Sequence, residues 1–264
     1  MYVAELRYIQ SIHEAGELKG PDTVVGRFLP LLRRYRCKWL GQGTVTALRA
    51  DPFYYYLLAR TIYYDKLFVQ AITHDVRYVI NIGCGTDTRA YRFEKILLEN
   101  NVCVMECDQP EAIAVKKHMV KKAGKYDHVT YASLDLNDAS WPDFEHLLTR
   151  LTAKVFVLIE GVSPYVNEEA FRAFLELLGR RLAKGSRVAY DFKLRGVSDT
   201  FGLWGRTEKP FRLAGNRQEL TEYHERLGFT LCNFSYSTEI LSSRVYAHPE
   251  AGTFKEDGLV QLEK

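Results

Sequence analysis

From Arg77 onward, short apolar runs alternate with amphipathic segments, the pattern of a parallel sheet flanked by helices. The apolar runs predict strands over 78–82, 102–107, 129–132, 155–159 and 187–192. Between them, helical spacing marks 88–98, 111–123, 144–151 and 167–183, the last closing at Lys184-Gly185 as a helix C-terminus should. A further helix over 217–227 precedes two runs of strand character, 229–236 and 239–246, separated by Ser237 and Thr238 alone. That spacing predicts a hairpin. The expectation is an α/β fold, a doubly wound sheet closed by a C-terminal antiparallel hairpin.

The first 75 residues have a different texture and read as helices. Asp22 can cap a segment carrying Val24, Val25, Phe28, Leu31 and Leu32, which Pro30 would kink or interrupt, and Gly41-Gln42-Gly43 then breaks the chain. Asp51-Pro52 opens a longer helix with Phe53, Tyr56, Leu57, Arg60, Tyr64, Leu67, Phe68 and Ala71 at helical spacing. The resulting division is a helical cap over 1–75, contributing to cofactor and substrate sites, a core over 76–246 and a polar tail over 247–264.

Composition narrows the classes. A 264-residue chain that is 47% hydrophobic can bury a sizeable core, and 36 basic against 33 acidic residues leave +3, too little and too dispersed for a dedicated nucleic-acid binder. The longest apolar runs, 155–159 and 79–82, fall far short of the roughly 20 residues of a membrane span. No membrane partner is expected. No apolar secretory segment follows Met1, so a cytoplasmic setting is expected. The five cysteines show neither zinc spacing nor an even count, and Cys103 and Cys107 read as buried reduced thiols in a strand. No metal is expected.

In Tyr78-Val79-Ile80-Asn81-Ile82-Gly83-Cys84-Gly85, an apolar strand runs straight into Gly-x-Gly, and a helix follows. With no β-carbon in the way, a ligand can approach the backbone at Gly83 and Gly85. The third glycine of the dinucleotide fingerprint is missing, with Thr88 in its place, which disfavours a pyrophosphate and hence a nicotinamide cofactor. An acidic residue ending the second strand usually meets ribose hydroxyls. Glu106 and Asp108 both stand there on one strand face, and Asp108, at the extreme end, is the better placed.

Gly83-Cys84-Gly85-Thr86-Asp87-Thr88-Arg89, together with Arg60-Thr61 upstream and Glu106-Cys107-Asp108-Gln109-Pro110 and Ile159-Glu160-Gly161-Val162-Ser163-Pro164-Tyr165 downstream, resembles the leucine carboxyl methyltransferase family, whose bacterial branch includes tetracenomycin-type polyketide O-methyltransferases. The resemblance runs from about Pro21 to Tyr246. It implies a Rossmann-like class I methyltransferase fold and S-adenosyl-L-methionine as cofactor. By motif, Arg60 would hold the methionine carboxylate and Gly83 would lie against the methionine part, with Gly85 and Asp87 also among the cofactor-binding residues. Asp108 would take the ribose, Asp135 and Leu136 the adenine, and Glu160 would sit near the methionine amine. The eukaryotic branch uses an N-terminal lysine with no evident equivalent here.

The implied activity is methyl transfer to an oxygen of a small molecule, a carboxylate of an aromatic or polyketide-like metabolite in natural product biosynthesis, with a protein C-terminus or a phenol as alternatives. A carboxylate is already ionised at neutral pH, whereas a phenol benefits from a base. Candidate acceptor residues are Tyr165 and, in the long segment over 193–215, Trp204, Arg206 and Arg212, with Phe201 and Phe211 beside them. The cap tyrosines Tyr54, Tyr55, Tyr56, Tyr63 and Tyr64 are candidates whose alternative is core packing. No histidine is marked as a base. Nothing in the sequence sets the oligomeric state.

Overall fold

The computed structural model describes residues 2–197, 209–243 and 253–264. The N-terminal helices are α1 (Tyr2–His13), α2 (Leu31–Lys38), α3 (Gln42–Leu48) and α4 (Pro52–Thr73). The chain continues through β1 (Tyr78–Ile82), α5 (Arg89–Arg92), α6 (Glu94–Glu99), β2 (Cys103–Asp108), α7 (Pro110–Ala123), β3 (Val129–Ser133), α8 (Pro142–Arg150), β4 (Val155–Ile159), α9 (Glu168–Arg181) and β5 (Arg187–Leu194). It ends with β6 (Arg212–Leu213), α10 (Arg217–Arg226), β7 (Thr230–Tyr236), α11 (Ser237–Ser242) and β8 (Asp257–Glu263).

The strands form one sheet in the order β3-β2-β1-β4-β5-β8-β7, with β6 beside the end of β5. β1 to β5 are parallel, and β8 runs antiparallel to both β5 and β7. Helices cover both faces, so the central strands read as continuous apolar runs; all five residues of β4 are buried. On one face Ile80, Val157, Val188 and Tyr190 meet Phe171, Phe174 and Leu178 of α9, while on the other Val79, Val104 and Leu158 meet Tyr56, Tyr64 and Phe68 of α4. Strand order reverses between β1 and β4, which opens a crevice at their carboxyl ends.

Local chemistry explains most boundaries. The Asp51 carboxylate accepts the Phe53 N–H at 2.9 Å, with Pro52 in the first turn of α4, as a capped helix requires. Asp22 accepts the Val25 N–H at 3.0 Å, but only a 3-10 turn follows, and Pro30 restarts the chain as α2. This turns Leu31 and Leu32, read as part of a buried stripe, out to solvent. Gly41 is the N-cap of α3 where a chain break was expected, and the helix expected over 88–98 divides at Phe93, whose ring packs on Phe68.

The hairpin is differently built from the sequence expectation. The described part of 239–246 is helical: Glu239 accepts the Tyr236 N–H at 3.0 Å as a cap, and Ile240 and Leu241 are buried. The antiparallel partner of β7 is β8, within the stretch expected to be a polar tail. Its Leu259, Val260 and Leu262 are essentially fully buried. Gly258 permits this, because a Cβ there would meet the Phe192 ring at 2.6 Å. Cys107 is buried as expected, whereas Cys103, at the outset of β2, is exposed.

Candidate active site

At the end of β1 the backbone turns through positive φ at Gly83 (+65°) and Gly85 (+38°). A Cβ on Gly83 would come within 2.3 Å of Val162 Cγ2, so only glycine fits between this turn and the loop after β4. At Gly85 a Cβ would meet nothing nearer than 3.9 Å, which leaves an open cradle over the backbone. The Gly85 N–H is held by Asp108 Oδ2 at 2.8 Å, and Asp108 Oδ1 accepts from the Gln109 N–H, also at 2.8 Å. Asp108 stays partly exposed at the rim. Glu106, the other acidic candidate, is fully buried between Lys116 Nζ (3.0 Å) and the Tyr91 hydroxyl, out of reach of a ligand. Burial raises its pKa despite those two partners.

Beneath the turn lies a network of arginines and carboxylates. Arg60 reaches from α4 to Glu160 Oε1 (3.1 Å) and Asp191 Oδ2 (3.0 Å), its guanidinium over the Tyr56 ring. Burial would lower its pKa, but Asp191 and Glu160 outweigh burial and hold it charged. Arg89 is wholly buried and binds Asp65 (2.8 Å), Asp87 and Glu160 (2.7 Å). Burial pushes the Asp87 carboxyl up, yet Arg89, Arg7 and Lys116 hold it well below the ordinary carboxylate range. Asp191 goes the other way. Burial dominates over Arg60, Asp257 adds repulsion, and its pKa is raised to about 6.

Two cavities meet above this network. The smaller, about 150 Å³, lies over the glycine turn and is lined by Gly83, Gly85, Asp87, Glu160, Arg60 and Arg7. The larger, about 720 Å³, is walled by the rings of Tyr2, Phe53, Tyr165 and Phe254, with Asp191 and Lys193 from β5. Val3, Arg60 and Gly161 line both. Lys193 Nζ lies over the Phe254 ring and is bound by Glu256 (2.9 Å) and Asp257 (2.7 Å), which also line the larger cavity.

Of the residues singled out in the sequence, Arg60, Gly83, Gly85, Asp87 and Glu160 thus surround one cleft. Asp108, Asp135 and Leu136 continue that line along the ends of β2 and β3. Asp135 accepts the Asn137 N–H and the Gln109 side-chain amide, both at 2.9 Å, and Leu136 is buried. Tyr165 is half-exposed on the wall of the larger cavity. Arg212 is instead buried beside β5, donating to the Pro210 carbonyl at 3.2 Å, and is not among the described residues lining either cavity. Phe201, Trp204 and Arg206 lie outside the described residues. Tyr54, Tyr55, Tyr56 and Tyr64 are core, each 2% exposed or less: Tyr55, Tyr56 and Tyr64 join the cluster against the sheet, and Tyr54 packs with Leu6 of α1. Arg7, Asp191, Lys193, Glu256 and Asp257 were not foreseen. Arg7 donates to the Thr86 carbonyl at 2.9 Å and faces Asp22 at 3.5 Å, and its buried Nε has no hydrogen-bond partner among the described residues.

An open α/β sheet with its crevice where strand order reverses is the fold class of the class I methyltransferases. Magnesium protoporphyrin IX methyltransferase from Synechocystis PCC 6803, solved with bound SAH, shares it, with a TM-score of 0.51 over 92% of this chain and 95% of that chain at 10% identity. Residues 31–179 match the model for leucine carboxyl methyltransferases, more than half of the chain, and the chain belongs to that family. It is similar to a Mycobacterium avium protein provisionally named an S-adenosyl-L-methionine-dependent methyltransferase, 29% identical over 179 residues, 64% of this chain and 54% of that protein. A Mycobacteroides abscessus protein of the same name is 33% identical over 134 residues, 49% of this chain and 43% of that one. The chain spans about half the length of the curated relatives it matches.

Proposed function

We propose that this chain is an S-adenosyl-L-methionine-dependent O-methyltransferase acting on a small molecule held in the larger cavity. The observation that carries this reading is the junction of the two cavities at Arg60 and Gly161, a donor cleft opening on an acceptor chamber. The residues present suit the cofactor: the cradle at Gly85 is open, and Arg7, whose Nε has no hydrogen-bond partner among the described residues, lines the cleft beside Arg60, with Asp22 pairing the first and Glu160 and Asp191 the second. Glu160 would face the amine, Asp108 the ribose hydroxyls, and Asp135 with the Leu136 N–H the adenine, each charged contact contributing about 1.5–3 kcal/mol. When bound, the cofactor supplies an electrophilic methyl group on a sulfonium.

The protein's remaining task is alignment and exclusion of water. Tyr2, Phe53, Tyr165 and Phe254 give the chamber flat apolar walls for an aromatic or polyketide-like acceptor. Its polar walls favour a hydroxyl over a carboxylate. Among the described residues of the lining, Asp51, Asp191, Glu256 and Asp257 outnumber Arg60 and Lys193, and both of these cations are already paired with carboxylates. Of the two arginines that could clamp a carboxylate, Arg212 is not among the described residues lining the chamber, and Arg206 lies outside the described residues. Asp191, with a spare lone pair on each oxygen and a pKa about 6, is suited to take the hydroxyl proton at neutral pH.

Calorimetry with S-adenosylhomocysteine and NAD side by side tests the donor half, and tight NAD binding without any response to the sulfur ligand would sink it. For the acceptor, labelled cofactor is incubated with a panel of phenols and aromatic acids, and the products are treated with mild alkali. Ether label survives. Label released as from an ester would restore the carboxylate and leave the donor site standing.

A further inference from the structure

Helix α2 stands proud of the fold: of its eight residues only Cys37 is buried, packed with Ala4, Tyr8 and Ile9 of α1. The rest of its surface is ordered in an unusual way. At 100° per residue, Leu31, Tyr35, Trp39 and Leu32 fall within an arc of about 100°, centred opposite Cys37. These four are 72%, 62%, 75% and 76% exposed, so the apolar pole points straight into solvent. Arg34 and Lys38 flank it on one side, and Arg36 and Arg33 on the other. Arg33 pairs with Glu5 of α1, and no other acidic residue offsets this face in sequence: between Asp22 and Asp51 stand six basic residues and no acidic one.

We propose that α2 docks the protein on an anionic lipid bilayer. Leucines opposite a buried anchor can enter the acyl boundary, while Tyr35 and Trp39 sit at headgroup level. The flanking arginines and lysine snorkel to lipid phosphates on both sides. Other occupants fit less well. A second copy laid on the same face would bring two sets of like charges together. A folded partner needs roughly 800 Å² on each side, far more than one short helix offers. Nucleic acid would use the cations but leave the leucines without a role. The sequence-based expectation of no membrane partner rested on short apolar runs and a small net charge, and surface docking requires neither a span nor a charged whole. Tyr2 lines both the acceptor chamber and the small cleft against Arg33 and Arg36, which places the helix beside the chamber.

The test is co-sedimentation of the full chain with vesicles of phosphatidylcholine, alone or with about one third phosphatidylglycerol. Sedimentation with the mixed vesicles only, weakening as salt rises, is the expected result. Arg34→Gln/Lys38→Gln should lower the partition coefficient roughly thirtyfold. Leu32→Ser/Trp39→Ser should abolish binding, and both pairs should keep the parental melting curve because the altered side chains are exposed. No sedimentation with anionic vesicles overturns the proposal, as does binding that neither pair of substitutions changes. Equal retention on heparin that survives Leu32→Ser/Trp39→Ser assigns the helix to soluble polyanions and overturns it too. A concentration-dependent dimer that Trp39→Ser dissolves, seen by sedimentation velocity without lipid, would make this an interface between copies and also reject it.

Discussion

The proposed donor cleft and acceptor chamber share Arg60 and Gly161 but are assembled in opposite ways. The cleft is made largely from short stretches at strand ends, Gly83 to Asp87 after β1 and Glu160-Gly161 after β4, with Asp108 and Asp135 continuing its line at the ends of β2 and β3. The chamber draws single residues from α1, α4, the loop after β4, β5 and β8, more than 250 positions apart in sequence. Backbone conformation and strand register therefore build the first, and tertiary packing builds the second. The two should respond differently to substitution.

Arg60 belongs to both and gives the largest expected effect. Arg60→Ala leaves Asp191 buried without its cation and Glu160 with Arg89 alone, which should cost about 3–5 kcal/mol of folding stability besides weakening cofactor binding. Chemical denaturation with and without S-adenosylhomocysteine separates the two losses. An unchanged unfolding midpoint would mean that Arg60 serves the ligand alone and that the two regions are independent at this point.

Asp191 tests the acceptor side. Asp191→Asn should lower the turnover number by about 100-fold with cofactor affinity little changed. In the parent protein the rate should climb as pH rises through about 6, because only the ionised carboxylate accepts a proton. Stability should show the opposite slope. The folded state raises this carboxyl from the ordinary range near 4, so it binds the proton more tightly than the unfolded chain between about 4 and 6, and stability falls across that window as pH rises. A pH–rate profile that is flat from 5 to 8, roughly the window around the shifted pKa, would return the acceptor to an already ionised group.

Gly83→Ala probes the cleft alone. A methyl group at φ +65°, directed at Val162 from 2.3 Å, should cost about 2 kcal/mol in stability and close the approach to the turn. Titration calorimetry should show adenosyl binding lost while the chamber keeps its shape.

This contrast also explains what could be read from the sequence. The five parallel strands were legible because each is a short apolar run between breakers, and the cleft because Gly-x-Gly, Asp108 and Glu160 terminate those same runs. β8 was not. Its Asp257, Gln261 and Glu263 made the stretch look like a solvated tail, although Leu259, Val260 and Leu262 are core. With β8 misplaced, Asp257 and Glu256 could not be brought to Lys193, and the charge balance of the chamber stayed hidden. α11 carried its own signal in Glu239, three residues after Tyr236, but the β-branched and aromatic residues nearby outweighed it. Arg7 carried none, since nothing local marks a helix residue that meets a turn 79 positions away.

Tyr165 offers the smallest and most selective test. Its ring lines the chamber, is 51% exposed, and belongs to a short 3-10 turn over Ser163–Tyr165 rather than to the core. Tyr165→Ala should therefore leave the melting temperature within about 1–2 °C of the parent, since exposed side chains contribute little to folding. S-adenosylhomocysteine affinity should also hold, because Tyr165 lines the chamber and is not among the described residues lining the cavity over the glycine turn. The loss should fall on the acceptor, with KM raised several-fold, corresponding to about 1 kcal/mol of ring contact. Steady-state kinetics with the best acceptor from the phenol panel, run at fixed saturating cofactor, measures that shift directly. If the KM for the cofactor moved instead, the wall that Tyr165 forms would belong to the donor side, and the boundary between the two regions would have to be redrawn at Gly161.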